Sequence, residues 1–229
     1  MLSSTNSQVT KQIAFWDREG AHSESQCTLP TKEFLGLVGN NSRILEVGCG
    51  TGRVLAVMLG YVHPRSLFGV DWSHASVCAA KARLGEVELC TGDCRYLPYQ
   101  DQSFDSCILS ALLTCFISTK DLLHVVKETY RVVKPLGIVF ISDFLLNMSF
   151  RNLIRYAAGF VRYRSIGAFW AGQPFRHFRY YELHKLLSSV GFQVINTKII
   201  STRSWHGHLE KGVYFVCRKN SSHLKSQLV

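Results

Sequence analysis

Three glycines at alternate positions end an apolar run and leave a stretch of backbone without side chains. They are Gly48, Gly50 and Gly52, in the stretch "ILEVGCGTG" that covers residues 44 to 52. A backbone without Cβ atoms lets a ligand come close, and the N–H groups at the start of the following helix would point at it. Asp71 comes 19 residues after Gly52, and a carboxylate about 20 residues after such a turn is typical of a ribose contact. The spacing therefore predicts a site for an adenosine-type ligand.

Two other kinds of nucleotide site also have glycine-rich turns, and the sequence differs from both. A dinucleotide fingerprint, GxGxxG, would place its third glycine at position 53, where this chain has Arg53. A phosphate-binding loop would continue into Gly-Lys-Ser or Gly-Lys-Thr, and no such tripeptide follows. The turn is therefore unlike that of nicotinamide-dependent enzymes or nucleoside triphosphatases.

The elements that must position these residues alternate between strands and helices. Apolar runs of strand length, separated by segments of 3.6-residue periodicity, predict a doubly wound, mostly parallel sheet of the α/β class. Two further strands after a C-terminal helix bring the predicted sheet to seven strands. The five core strands are predicted at 43–48, 67–72, 87–93, 105–112 and 138–144, and the final two at 192–200 and 213–219.

The length and composition fit one domain with attachments. A chain of 229 residues that is 47% apolar can bury one sizeable core. We expect an N-terminal lid segment (1–40), a ligand-binding core (41–144), an insert (145–181) and a C-terminal helix with a strand pair (182–229). No uncharged stretch reaches the ~20 residues of a membrane span, so we expect a soluble, cytoplasmic protein.

Positive charge is concentrated in the second half of the chain. The formal net charge of +10 divides into −2 over residues 1–124 and +12 over residues 125–229. This surface would suit an acidic substrate, an anionic membrane surface or nucleic acid, although a solvated face can have the same composition. The insert has no acidic residue and six arginines, which are Arg151, Arg155, Arg162, Arg164, Arg176 and Arg179.

The cysteines indicate neither a disulfide framework nor a metal site. The chain has eight cysteines and no CxxC pair. Cys90 and Cys94 are four residues apart, and no second pair completes a zinc site. We therefore expect reduced thiols, as in a cytoplasm, and no bound metal.

Taken together, these motifs resemble those of the class I S-adenosylmethionine-dependent methyltransferases, which have a Rossmann-like fold. "ILEVGCGTG", with Glu46 two residues before the first glycine, resembles their first motif, and "FGVDWS" resembles their second. "CTGDCRYLPYQDQSFDSCI" resembles the third, "RVVKPLGIVFISDF" the segment before strand five, and "YELHKLLSSVGFQV" the last helix and strand. One departure is Leu136, where the family has a glycine. The resemblance implies S-adenosylmethionine as the cofactor and methyl transfer as the activity.

The resemblance also assigns roles within the cofactor site. Glu46 would meet the amino group of the methionine moiety, and Asp71 would hold the ribose hydroxyls. Trp72 would cover an adenine face, Asp93 would reach the adenine amino group, and the N–H of Cys94 would donate to a ring nitrogen. The implied cofactor-binding residues are Trp16, Glu46, Gly48, Cys49, Gly50, Thr51, Gly52, Asp71, Trp72, Asp93, Cys94 and Ser110.

The acceptor side is expected from segments outside the core. Val9, Ile13 and Trp16 recur at helical spacing, which fits either a lid helix over the cofactor or simple packing onto the core. The insert and the loop at 202–211 would supply the remaining walls.

The resemblance also places Ser110, one of the cofactor-binding residues, where the fourth strand opens toward the sulfonium. The sequence offers two candidate catalytic residues. Asp143 ends the fifth strand on the ligand side of the sheet and is the first candidate for a base or an acceptor contact. His177, in the aromatic stretch "FRHFRYY", is the second.

Three functions remain open on the sequence. The leading one is methylation of a small molecule that is acidic, aromatic or lipid-like, on an oxygen, nitrogen or carbon atom, with peripheral membrane contact allowed. The second is modification of a nucleic acid or protein docked on the basic insert. The third is a cofactor-binding scaffold without catalysis. The chain lacks the Asn/Asp-Pro-Pro-Tyr/Phe motif and the Pro-Cys dipeptide of DNA base methylation, so we expect no modification of that kind.

Overall fold

A seven-stranded sheet forms the centre of the computed structural model, which describes residues 11–12, 14–20, 29–163, 167–170, 173–203 and 209–221. The strands are β1 (Ile44–Val47), β2 (Leu67–Asp71), β3 (Glu88–Thr91), β4 (Phe104–Ser110), β5 (Val133–Phe144), β6 (Gly167–Trp170), β7 (Gln173–Arg176), β8 (Phe192–Arg203) and β9 (Leu209–Lys219). The sheet order is β3-β2-β1-β4-β5-β9-β8, and β6 pairs only with β7. In this sheet β9 is antiparallel to both of its neighbours, β5 and β8, and the other four strand pairs are parallel. The predicted α/β class and the seven-stranded, mostly parallel sheet are confirmed.

Helices connect the strands, and most of them begin or end at a residue suited to that position. From residue 29 onward, the α-helices are α1 (Lys32–Leu35), α2 (Arg53–Met58), α3 (His74–Leu84), α4 (Thr119–Val132), α5 (Phe150–Tyr163) and α6 (Tyr180–Val190). The hydroxyls of Ser73 and Ser118 accept the N–H groups of Ser76 and Asp121 and so begin α3 and α4. Gly191 ends α6 in the left-handed conformation.

Two apolar layers cover the faces of the sheet. Successive residues of a strand point to opposite faces, and β1 shows this directly, because Leu45 and Val47 belong to one apolar cluster and Ile44 to the other. All four β1 residues are buried, as expected for a central parallel strand. The glycine turn therefore follows a strand that is buried on both faces.

The fifth strand begins earlier than the sequence indicated. It extends back to Val133 through an irregular stretch in which Leu136 is exposed and has a φ of 63°. A Cβ on Gly137 would lie 2.6 Å from Cγ1 of Val133 and 2.8 Å from the Asp105 carbonyl oxygen. Because its φ is 63°, Leu136 occupies a left-handed position that a glycine would adopt with less strain.

The insert, residues 145–181, contains secondary structure that the sequence did not reveal. Helix α5 follows β5 directly, and the β6–β7 hairpin follows α5. The final strand pair is confirmed, although both strands are longer than predicted. No helix in the described ranges is both long enough and apolar enough to cross a membrane.

Gly191→Ala tests how strongly the end of α6 is constrained. Its φ is +108°, and an added Cβ would lie 3.0 Å from the Tyr130 hydroxyl oxygen and 3.2 Å from two of its ring carbons. We expect the free energy of unfolding in urea to fall by about 1–3 kcal/mol, because backbone strain and crowding add. Ser189→Ala, at an exposed position in the same helix, is the control and should change it by less than about 0.5 kcal/mol. Equal values for the two variants would contradict this account.

Candidate active site

The glycine turn after β1 forms one end of a cavity. Gly48, Gly50 and Gly52 all have positive φ angles, of 74°, 50° and 77°, which side chains rarely tolerate. A Cβ on Gly48 would lie 2.6 Å from Leu112, and one on Gly52 would lie 2.4 Å from Leu84, whereas one on Gly50 would meet nothing within 4 Å. The outer two glycines therefore allow close packing, and Gly50 leaves open space in front of the turn.

Asp71 fixes the position of this turn. Its Oδ2 accepts the N–H of Gly50 at 2.8 Å, and its Oδ1 accepts the N–H of Ser73 at 2.9 Å. Burial raises the pKa of the carboxyl group. Each oxygen still has a lone pair for a further donor, and Asp71 lines the cavity. The carboxylate can therefore hold the turn and also accept hydrogen bonds from a ligand.

Two buried polar atoms at the cavity wall have no partner. They are Oε2 of Glu46 and the hydroxyl oxygen of Ser110. Glu46 is only 2% exposed, and burial raises its pKa to about 8, an effect that the nearby Arg53 partly offsets. Leaving such groups unpaired costs free energy, so both atoms are placed to bind a donor that enters the cavity.

The cavity encloses about 970 Å³, open solvent at its mouth included. The sequence-predicted residues on its wall are Trp16, Glu46, Gly48, Cys49, Gly50, Thr51, Asp71, Trp72, Cys94 and Ser110. Gly52 and Asp93 do not line it. Sequence reasoning missed Gln12, Arg53, Leu112, Cys115 and Phe116, which do. Position in the fold could have indicated the last three, because they follow β4 at the ligand edge of the sheet.

Asp93 is engaged away from the cavity. Its two carboxylate oxygens accept hydrogen bonds from Arg95 at 2.7–3.1 Å. The guanidinium of Arg95 also reaches Asp121 and lies 5.1 Å from the centre of the Trp72 ring. Asp93 thus holds the arginine that supports Trp72, and the structure does not bring its carboxylate to the wall beside Cys94.

The N-terminal segment closes one side of the cavity. Residues 14–19 are helical, and Trp16 lines the wall. The Gln12 side chain donates to the Cys115 carbonyl at 3.1 Å. The buried ring of Phe15 and the partly exposed ring of Trp16 both make edge contacts with Phe175 of β7. Val9 and Ile13, predicted for the same lid, lie outside the described residues. The segment therefore joins the cavity to the insert.

Asp143 lies behind the cavity wall. It is buried, and its carboxylate accepts the N–H groups of Thr114 at 3.0 Å and Phe144 at 2.8 Å. Burial raises its pKa to about 7. It does not line the cavity, but it holds the turn whose neighbouring residues Leu112, Cys115 and Phe116 do. The geometry thus makes Asp143 a positioning residue.

His177 is also buried away from this wall. Its Nδ1 lies 2.8 Å from the Tyr156 hydroxyl, and its ring stacks on Phe144. The Tyr156 hydroxyl accepts the Asn147 N–H at 3.1 Å, so its own hydrogen is available for Nδ1. Burial lowers the pKa of His177 to about 4, and the ring is therefore neutral near pH 7. The structure does not bring His177 together with the glycine turn.

The remaining predicted features divide between described and undescribed parts. The described residues contain no group of three or more metal-ligating side chains. The seven described cysteines are free thiols. Arg164 and residues 204–208 of the loop at 202–211 lie outside the described residues, as do the side chains of Arg151 and Arg162.

The sequence of this chain is similar to those of known methyltransferases. Residues 45–141 match the family described as "Methyltransferase domain". The chain is 32% identical over 128 residues to the demethylmenaquinone methyltransferase of Bacillus mycoides, covering 53% of this chain and 51% of that protein. It is 29% identical over 106 residues to phthiotriol/phenolphthiotriol dimycocerosates methyltransferase 1 of Mycobacterium ulcerans, covering 45% and 38%. The matches thus span about half or less of these relatives.

A solved structure is similar over most of the chain. It is described as a SAM-dependent methyltransferase from Methanosarcina mazei, with a TM-score of 0.76 at 21% identity. The alignment covers 84% of this chain and 99% of that one. At this level of identity the likeness establishes the fold, and it includes elements beyond residues 45–141.

The pKa of Glu46 predicts a pH dependence of binding for a ligand with a charged amino group. Burial raises the pKa of Glu46 to about 8, and an ammonium group beside the carboxylate would lower it. Binding then releases a proton, so affinity should rise with pH by up to about tenfold per unit between about pH 6 and 7.5. Calorimetry with S-adenosylhomocysteine measures this. Glu46→Gln should bind more weakly and with a flatter pH profile, because the glutamine amide does not titrate. Asp71 is present in both proteins, so the difference between their profiles reports on Glu46. A profile shared by both would contradict this assignment.

Proposed function

Because the chain carries a class I, S-adenosylmethionine-dependent methyltransferase domain, we propose that it transfers the methyl group of this cofactor to a small, largely apolar acceptor. The match of residues 45–141 and the fold confirm the family and the cofactor predicted from the motifs. The observation that carries the proposal is the buried, unpartnered oxygen of Glu46 in the wall of a cavity that is also lined by apolar side chains such as Leu112 and Phe116.

The residues present fit the cofactor. Glu46 would accept from its amino group, because the carboxylate has a free oxygen and is buried. Asp71 would accept from the ribose hydroxyls, and the open space before Gly50 leaves room for the ligand. Trp72 and the backbone at Cys94 would border the adenine, with Arg95 supporting the tryptophan ring. The amino group, the ribose and the adenine of the cofactor thus each have a chemically suitable neighbour.

The chemistry comes mainly from the cofactor, whose sulfonium supplies an electrophilic methyl group. What the chain must provide is alignment of the acceptor and exclusion of water. Leu112 and Phe116 supply apolar surface at the wall, and Trp16 covers the cavity from the N-terminal segment. The Ser110 hydroxyl is the unpartnered polar group at the end of β4, and it can donate to or accept from the acceptor.

A small, apolar acceptor follows from the walls and is supported by the relatives. Trp16 lines the cavity and packs edge-on against Phe175 of the insert, and an aromatic wall suits a flat or lipid-like molecule. Two relatives are named for demethylmenaquinone and for phthiotriol/phenolphthiotriol dimycocerosates. A cytoplasmic location belongs to this proposal, because the described thiols are free.

A general base is not a requirement of this proposal. Both candidates from the sequence, Asp143 and His177, are buried and hydrogen-bonded outside the cavity wall. An acceptor that must lose a proton would therefore need a group at the wall or water to take it. This favours an acceptor whose atom is already nucleophilic.

The proposal is tested by the fate of the methyl group. The purified chain is incubated with methyl-labelled cofactor and a cell extract, which is then divided into lipid-soluble small molecules, protein and RNA. We expect label in the lipid-soluble fraction, and we expect Glu46→Gln to reduce it by about tenfold or more, since about 1–3 kcal/mol of binding is lost with the carboxylate. Label in protein or RNA alone would overturn the acceptor class.

The second function, docking of nucleic acid on the insert, makes a different prediction. Arg176 already bonds to the Ile117 carbonyl and to Glu182, and Arg155 lies 3.9 Å from Glu210, which leaves fewer arginines for phosphates. We expect weak RNA binding with a shallow salt dependence. A slope in log affinity against log salt of about −0.7 per contacted phosphate, reaching roughly −3 for four contacts, would favour the nucleic-acid function.

A further inference from the structure

Helix α5 presents apolar side chains to solvent. Phe150 is 80% exposed, Ile154 is 58% exposed and Val161 is 84% exposed. At 100° per residue these three positions lie within about 40° of one another around the helix. Leu153 and Phe160 are also exposed beside them, and so is Met148 just before the helix. The result is a continuous apolar stripe along three turns, and patches of this kind on soluble proteins mark interaction sites.

The opposite face of α5 is polar and is docked by specific hydrogen bonds. The side-chain amide of Asn152 donates to the buried Glu210 of β9 at 2.9 Å. Tyr156 is buried, and its hydroxyl bonds His177 at 2.8 Å. Arg155 lies on the same side, 3.9 Å from Glu210. An amphipathic helix on a protein surface usually buries its apolar stripe, and α5 does the reverse.

This inverted orientation is fixed. Turning α5 to bury its apolar stripe would leave Glu210 and the Tyr156–His177 pair without these partners, and buried polar groups without partners cost about 1–3 kcal/mol each. The apolar face is therefore exposed because the polar face is required inside. Covering this apolar face with another surface would lower the free energy, because apolar area would be removed from water.

Charge indicates the nature of that surface. The insert has six arginines and no acidic residue over residues 145–181. Within α5, positions 151 and 162 carry two of these arginines, in addition to Arg155, which lies beside Glu210. A helix with an apolar stripe and arginines on its other positions is typical of segments that lie in the interface of an anionic membrane. A second protein copy would have to accept the same positive charge.

We propose that α5 docks the protein on an anionic phospholipid bilayer, with Phe150, Ile154 and Val161 entering the boundary between headgroups and acyl chains. The helix contacts the β6–β7 hairpin, and Phe175 of that hairpin contacts Trp16 at the cavity. The docked surface is thus connected to the cavity wall. The proposal does not depend on methyl transfer, because it can be tested without an acceptor.

Sedimentation with lipid vesicles provides the test. The full chain is mixed with vesicles of phosphatidylcholine alone or of phosphatidylcholine with phosphatidylglycerol. The variant is the pair Phe150→Gln and Val161→Gln, which removes apolar surface and leaves the charge unchanged. The matched control is the pair Leu37→Gln and Tyr61→Gln, two exposed apolar residues outside the insert. Calorimetry with S-adenosylhomocysteine checks that each variant is folded.

We expect the wild type and the control to bind the anionic vesicles. The α5 variant should bind at least about tenfold more weakly, because the inserted apolar area is lost. Added salt and neutral vesicles should also weaken binding. Equal binding by the α5 variant, or no binding by the wild type, would overturn the proposal. So would a wild-type dimer in light scattering that the α5 variant converts to a monomer. Failure of cofactor binding in all proteins would instead count against the proposed function.

Discussion

The hydrogen bond from the Gly50 N–H to the Asp71 carboxylate joins the ends of two neighbouring parallel strands, and the cavity depends on it. It holds the turn after β1 in a conformation with three positive φ angles, which glycine alone adopts at little cost. The second oxygen of Asp71 accepts the Ser73 N–H just before α3. One carboxylate thus fixes the glycine turn and the start of a helix, and both border the same cavity.

Stability and binding conflict at Glu46. A buried carboxyl group whose pKa is raised to about 8 favours the protonated form on folding, so the folded state loses stability as pH rises from the unfolded pKa of about 4.5 toward 8. Such a cost is retained where the group has a ligand to bind. A neutral side chain would fold more stably and would lack the acceptor that a charged amino group needs.

The insert follows the same pattern on a larger scale. Its buried polar contacts, Asn152 with Glu210 and Tyr156 with His177, hold α5 so that the apolar stripe faces outward. Its hairpin meanwhile reaches Trp16 through Phe175. Polar groups inside and apolar groups outside are unfavourable for an isolated protein in water. They would become favourable if a surface covered the outer face, as in the proposed docking of α5.

The sequence by itself determined the sheet and the glycine turn, because these depend on local periodicity and on residues whose conformation is set close by in the chain, and the resemblance of its motifs to a known family indicated the cofactor. It also predicted ten wall residues, from Trp16 to Ser110. Only the tertiary structure showed that Asp143 and His177 lie behind the cavity wall. It also showed that the Asp93 carboxylate accepts hydrogen bonds from Arg95. It also turned the apolar stripe of α5 outward, because Glu210 lies 58 residues from Asn152 in the chain. A side chain's direction depends on partners distant in sequence, and no local pattern records which partner it finds.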